Sequence, residues 1–161
     1  MRLKWSKHIL MSFILVLGVY IIIKEFKGIP LPFRCGGVTE YNLGDDGHEV
    51  TFNVNQDLRL EGNARSVFLI RGNVFSGKAK YNLNREFELS GLQDIDKDTV
   101  ILKIDRIVKS ELDNTPDALF NIYLDEIVIA PETLQLDIVH LSKRSWLISN
   151  PLQFIYPCVR Y

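Results

Sequence analysis

Fifteen consecutive residues from Ile9 to Ile23 carry no charge, and they stand between Arg2, Lys4 and Lys7 on one side and Lys24 and Lys27 on the other. A run of this kind near an N-terminus is a secretory signal or a retained membrane anchor, so it divides the chain into two parts before any fold is considered. A cleavable signal needs small residues in an A-x-A-like pattern before the cut. Here the chain continues Lys24-Glu25-Phe26-Lys27-Gly28-Ile29-Pro30, and Gly28 has Phe26 two places before it. The pattern favours an uncleaved signal anchor over a precursor with an irregular site. It does not read as a lipoprotein signal, because Cys35 follows Pro32-Phe33-Arg34 where small residues are required.

Fifteen helical residues rise about 22 Å, against a hydrocarbon core of about 30 Å, so the run is short for a span. Trp5 and Phe26 lengthen it, and Lys4, Lys7 and Lys24 can turn their ammonium groups outward. Residues 1–8 hold three Lys or Arg and no acid, so the positive-inside bias keeps the N-terminus in the cytoplasm and exports the rest. The expected organisation is a tip over 1–8, an anchor and flank over 9–27, a linker over 28–34 stiffened by Pro30 and Pro32, and an exported domain over 35–161.

Residues 28–161 number 134, enough for one domain with a real core. They carry 14 Lys and Arg against 19 Asp and Glu, a formal charge of −5. That balance, with no basic run after Lys27, argues against direct nucleic-acid binding. The two cysteines stand near the ends of this region, at Cys35 and Cys158. In an oxidising compartment an even count is expected to pair, and a bridge would join the two ends of the domain; two buried free thiols are the alternative.

Beyond the linker, apolar residues recur with period two. Val50, Phe52 and Val54 alternate with polar neighbours, as do Tyr81 and Leu83, Phe87 and Leu89, and Leu134, Leu136 and Ile138. Turn signals separate them at Gly44-Asp45-Asp46-Gly47, Glu61-Gly62-Asn63, Arg71-Gly72-Asn73, Ser76-Gly77, Ser90-Gly91, Asp113-Asn114 and Asn150-Pro151. Short strands at that rhythm predict an all-β domain, an antiparallel meander forming a small barrel or sandwich. Five β-branched residues among Val100, Ile101, Ile104, Ile107 and Val108 predict a strand there. Thr115-Pro116-Asp117 resembles a helix start, but Phe120, Ile122 and Leu124 alternate with their neighbours, and the segment is read mainly as strand.

No hydrolase elbow, zinc helix, phosphate loop or CxxC is present, so neither an enzyme nor a cofactor or metal site is expected. Asp94-Ile95-Asp96-Lys97-Asp98 begins like a calcium loop but places Thr99 where glycine is needed and Asp105 where Glu is needed, so it reads as a solvated acidic loop. His48 and His140 are candidate pH sensors, because imidazole is the side chain whose ordinary pKa lies nearest neutrality; a surface histidine without a role is the alternative. The aromatic C-terminal run from Trp146 through Phe154 and Tyr156 to Pro157 reads as a last core strand pinned by Cys158. Its alternative is an edge that docks a partner through Trp146, Phe154 and Tyr156. Pro157 restricts that strand to an edge or an end.

A basic tip, one apolar run, a small exported β-domain and cysteines at both of its ends resemble the FidL-like small inner-membrane accessory proteins of enterobacteria, and among them those of Yersinia fimbrial regulation. The likeness rests on Phe33-Arg34-Cys35, Asp113-Asn114-Thr115-Pro116-Asp117, and Trp146-Leu147-Ile148-Ser149-Asn150-Pro151 leading to Pro157-Cys158-Val159-Arg160. It implies a ToxS-like role: a periplasmic domain, anchored in the bacterial inner membrane, that pairs with the periplasmic domain of a ToxR-like, membrane-bound winged-helix transcription activator. It also implies a barrel that can hold a small apolar or bile-type amphiphile.

Overall fold

Val50, Phe52 and Val54 are buried while Asn53 and Asn55 between and after them are exposed, and this two-residue rhythm repeats around the whole domain. In the computed structural model, which describes residues 11–18, 20, 28–44, 49–62 and 65–161, eight strands follow one another around a closed barrel. They are β1 (Phe33–Leu43), β2 (Val50–Leu60), β3 (Ser66–Ser76), β4 (Ala79–Asp94), β5 (Thr99–Lys109), β6 (Thr133–His140), β7 (Ser145–Ser149) and β8 (Phe154–Arg160). Each pairs antiparallel with the next, and β8 returns to β1. The meander is therefore a barrel rather than a sandwich. Helix α1 (Asp117–Ile127) lies between β5 and β6.

Three sequence expectations are corrected. Phe120, Ile122 and Leu124 lie on α1, not on a strand. The helix buries Phe120, Tyr123 and Ile127, spaced at helical intervals, and Pro116 stands at its start. Tyr123 is itself large and apolar, which made the alternation illusory. Arg71-Gly72-Asn73 lies inside β3 rather than at a turn. A Cβ at Gly72 would collide with the Asn53 carbonyl and lie 2.8 Å from Val54 Cα, so glycine there permits a close approach of β2 and β3. Ser90-Gly91 lies within β4, where Gly91 has φ 62° and the register with β5 shifts between Ser90 and Gln93.

The barrel has two differently closed ends. At one, Phe120 and Tyr123 of α1 reach the barrel aromatics: Tyr123 is 5.4 Å from Phe52, and Phe120 is 6.2 Å from Phe87. At the other, Ile29 is buried in the core and Phe33 meets Trp146 edge-on at 5.2 Å. Cys35 and Cys158 form a disulfide with their Cα atoms 5.5 Å apart, across 123 residues of chain.

Residues 11–18 are helical, and among the described residues no helix is long and apolar enough to cross a membrane. Most of the remaining uncharged run, and His48, Asp45 and Asp46, lie outside the described residues.

Candidate partner-docking seam

The barrel closes through a very short ladder. Among the described residues β1 and β8 pair only at Cys35 with Arg160 and at Gly36 with Val159, whereas β1 and β2 stay in register from Phe33 to Leu43. The next positions explain the stop. A Cβ at Gly37 would collide with the Pro157 carbonyl, so that carbonyl faces β1. In a strand the N–H and C=O of one residue point to the same side, so the N–H that Pro157 lacks is one owed to β1. Proline thus ends the ladder, and Gly37 lets the two backbones crowd together where it ends. Among the described residues, the β1 edge turned toward β8 has no ladder partner from Val38 to Leu43.

Side chains bridge the gap. Tyr123 Oη donates to Gln56 Oε1 at 2.8 Å, Gln56 Nε2 donates to Tyr41 Oη at 2.7 Å, and Tyr41 Oη donates to the Ile155 carbonyl at 2.6 Å. The relay runs from α1 through the barrel to the seam. Close by, Thr39 Oγ1 and Tyr156 Oη are buried without a hydrogen-bond partner. Burial raises the phenols of Tyr41, Tyr123 and Tyr156 above their ordinary range, so all three stay neutral at physiological pH, Tyr41 and Tyr123 as donors and Tyr156 without a partner.

Apolar side chains line the outer face of the seam: Val38 is 66 % exposed, Val159 53 % and Phe154 48 %. Continuing the register sets Val38 opposite the exposed Pro157. The docking candidates of the C-terminal run therefore separate. Phe154 is available at the surface. Tyr156 is fully buried and Trp146 nearly so; a register shift between Ile148 and Ser149 leaves both Ile155 and Tyr156 buried in succession. His140 is exposed beside Trp146, with the ring centres 4.6 Å apart.

Gln56 and Arg85 carry a signal that sequence reading passed over. Both stand in phase with inward apolar neighbours, Gln56 between Val54 and Leu58 and Arg85 between Leu83 and Phe87, and both are buried. A polar residue in phase with a core face marks an internal polar network. The acidic β4–β5 turn is held locally: Asp96 Oδ1 accepts the N–H groups of Asp98 and Thr99 at 3.0 and 2.9 Å. Among the described residues no cluster of His, Cys, Asp or Glu is arranged to hold a metal ion.

Residues 72–158, from the middle of β3 to β8, match the model of a protein family described as FidL-like putative membrane protein. No curated protein and no solved structure matches the chain.

Proposed function

The chain belongs to the FidL-like putative membrane protein family, and from that premise we propose that it is a non-enzymatic accessory protein, anchored by Ile9–Ile23 as a single pass in the bacterial inner membrane. Its N-terminus is cytoplasmic and its barrel periplasmic. The barrel binds the periplasmic domain of a ToxR-like winged-helix activator and stabilises or modulates it, controlling fimbrial genes. The observation that carries this reading is the β1–β8 seam, where an unladdered strand edge from Val38 to Leu43 lies beside exposed Val38, Phe154 and Val159. Such an edge offers backbone hydrogen bonds to an incoming strand, and the flanking apolar side chains supply its pockets. Confinement of both proteins to one membrane raises their effective concentration, so a small interface suffices.

Membrane co-purification of the full chain with a neighbouring gene's membrane-bound activator tests this. The pair is expected to co-purify, and Val38→Glu with Phe154→Glu to abolish it; an activator that never associates with the wild-type chain overturns the reading. Acid sensing through His48 or His140 is a further part of the proposal. Replacing both with Gln should flatten the response of the activator between about pH 5 and 8, and an unchanged response removes the histidines from it.

A second reading, binding of a bile-type amphiphile, is favoured by a cleft of about 870 Å³ beside α1, lined by Val50, Phe75, Leu119 and Ile122 together with Glu49, Thr51 and Ser76. The large side chains of Phe52, Phe68, Phe87 and Tyr123 fill inward positions, so this reading assigns the ligand to the cleft rather than to the barrel lumen.

A further inference from the structure

The polypeptide is fastened to one end of the barrel before it leaves it. Ile29 is buried in the core, a Cβ on Gly28 would lie 3.5 Å from the Asp94 carboxyl carbon, and Arg160 Nη2 donates to the Pro32 carbonyl at 3.1 Å. This end is the one formed by the β2–β3, β4–β5 and β6–β7 turns, opposite α1. Only residues 24–27 separate Gly28 from the uncharged run, and the five steps from Ile23 to Gly28 reach about 18 Å at most. A bilayer holding that run therefore lies nearest this end and out of reach of the end that α1 covers.

The β6–β7 turn presents there an apolar tip among cations. Leu141 is 57 % exposed, and Ser142, Lys143 and Arg144 are exposed beside it. The tip has a fixed shape, since the Leu141 N–H donates to the Ser145 carbonyl at 3.0 Å and the Arg160 N–H to the Arg144 carbonyl at 2.8 Å. Tyr161 and Leu31 are exposed at the same end. An exposed apolar side chain in one turn with Lys143 and Arg144, and a tyrosine at the same end, match the headgroup layer of an anionic bilayer. The neighbouring β4–β5 turn carries Asp94, Asp96 and Asp98 around the single cation Lys97, so of the two turns the β6–β7 tip is the one an anionic surface attracts.

We propose that Leu141, Lys143 and Arg144 rest in the anionic headgroups of the bilayer that holds the N-terminal run, an inference that stands on the anchor reading above. The contact sets the orientation of the barrel: α1 and its cleft face away from the membrane, and the seam is presented sideways to a partner in the same bilayer.

The test uses the full chain reconstituted into vesicles of equal parts phosphatidylcholine and phosphatidylglycerol, with the photoreactive substitution Leu141→benzoylphenylalanine and, at the opposite end, Leu112→benzoylphenylalanine. Lipid adducts are expected at 141 and not at 112. Adding Lys143→Gln and Arg144→Gln, or using phosphatidylcholine alone, is expected to lower the yield at 141 about fivefold or more. A chain that resists carbonate extraction yet forms no adduct at 141, or as much at 112, overturns this inference alone. A chain that carbonate strips from the vesicles overturns the anchor reading and this inference together.

Discussion

The Arg85 guanidinium lies 4.0 Å from the centre of the Phe120 ring, joining the inward face of β4 to α1. The same group donates from Nε to Asp113 at 3.2 Å and from Nη2 to Asp117 at 2.6 Å and to the Thr115 carbonyl at 3.2 Å. Asp113 in turn accepts the N–H groups of Asn84 at 2.9 Å and Thr115 at 2.8 Å. The stretch Asp113-Asn114-Thr115-Pro116-Asp117 is therefore a strap that ties the start of α1 to β4 and holds the helix over the barrel end.

Removing one partner of a buried ion pair leaves the other charge without compensation. Arg85→Ala or Asp113→Ala is expected to cost about 3–5 kcal/mol, because Asp113 is 0 % and Arg85 7 % exposed at the side chain. Urea unfolding of the detergent-solubilised chain measures it, and a loss below about 1 kcal/mol would show that packing alone seats α1.

Acid should loosen the same strap. Hydrogen bonding and charge from Arg85 hold the Asp117 carboxyl below its ordinary 3.8, and the Asp98 N–H with Thr99 does so for Asp96. A pKa depressed by folding contributes stability that is complete above the unfolded value and is lost as pH falls through the folded one. The melting temperature is therefore expected to drop below about pH 4, and Asp117→Asn to make that drop shallower.

Alkali should act through the core phenols. Burial pushes Tyr123 and Tyr156 well above their ordinary 10.0, so folding favours their neutral forms and stability declines as pH rises past that value. At neutral pH the two differ. Tyr156 Oη has no partner, so Tyr156→Phe is expected to stabilise by about 1 kcal/mol. Tyr123→Phe strips the donor from Gln56 Oε1 and should cost about 1–3 kcal/mol, read from the same unfolding curves.

Replacing both cysteines with Ser releases a loop of 123 residues, worth about 4–5 kcal/mol in the chain-entropy model. Since only two residue pairs close β1 onto β8, amide hydrogen exchange is expected to accelerate first along these strands and last in β2–β3. Uniform acceleration around the barrel would show that the seam is no weaker than the rest.

The strands were legible because alternation is local. Leu134, Leu136 and Ile138 declare an inward face without reference to any other strand, and the structure buries all three. The turn signals succeeded where a glycine with positive φ reverses the chain, as at Gly77, and failed at Gly72 and Gly91, where the same residue type serves a close approach and a bulge. The fate of α1 was ambiguous because Phe120, Ile122, Tyr123 and Leu124 satisfy both periods over so short a segment; the strap from Asp113 and the open barrel end above Phe87 decide for the helix.

By itself the sequence determined an uncharged N-terminal run, an acidic β-domain in antiparallel meander order, and two cysteines placed to join its ends, all of them properties of composition and short-range pattern. Tertiary structure alone decided that the meander closes as a barrel, that Pro157 meets Gly37 at the closing seam, and that Tyr156 turns inward while Phe154 stays outside. These depend on the register between β1 and β8, strands more than a hundred residues apart in the chain, and no local pattern records which backbone group will face which across such a distance.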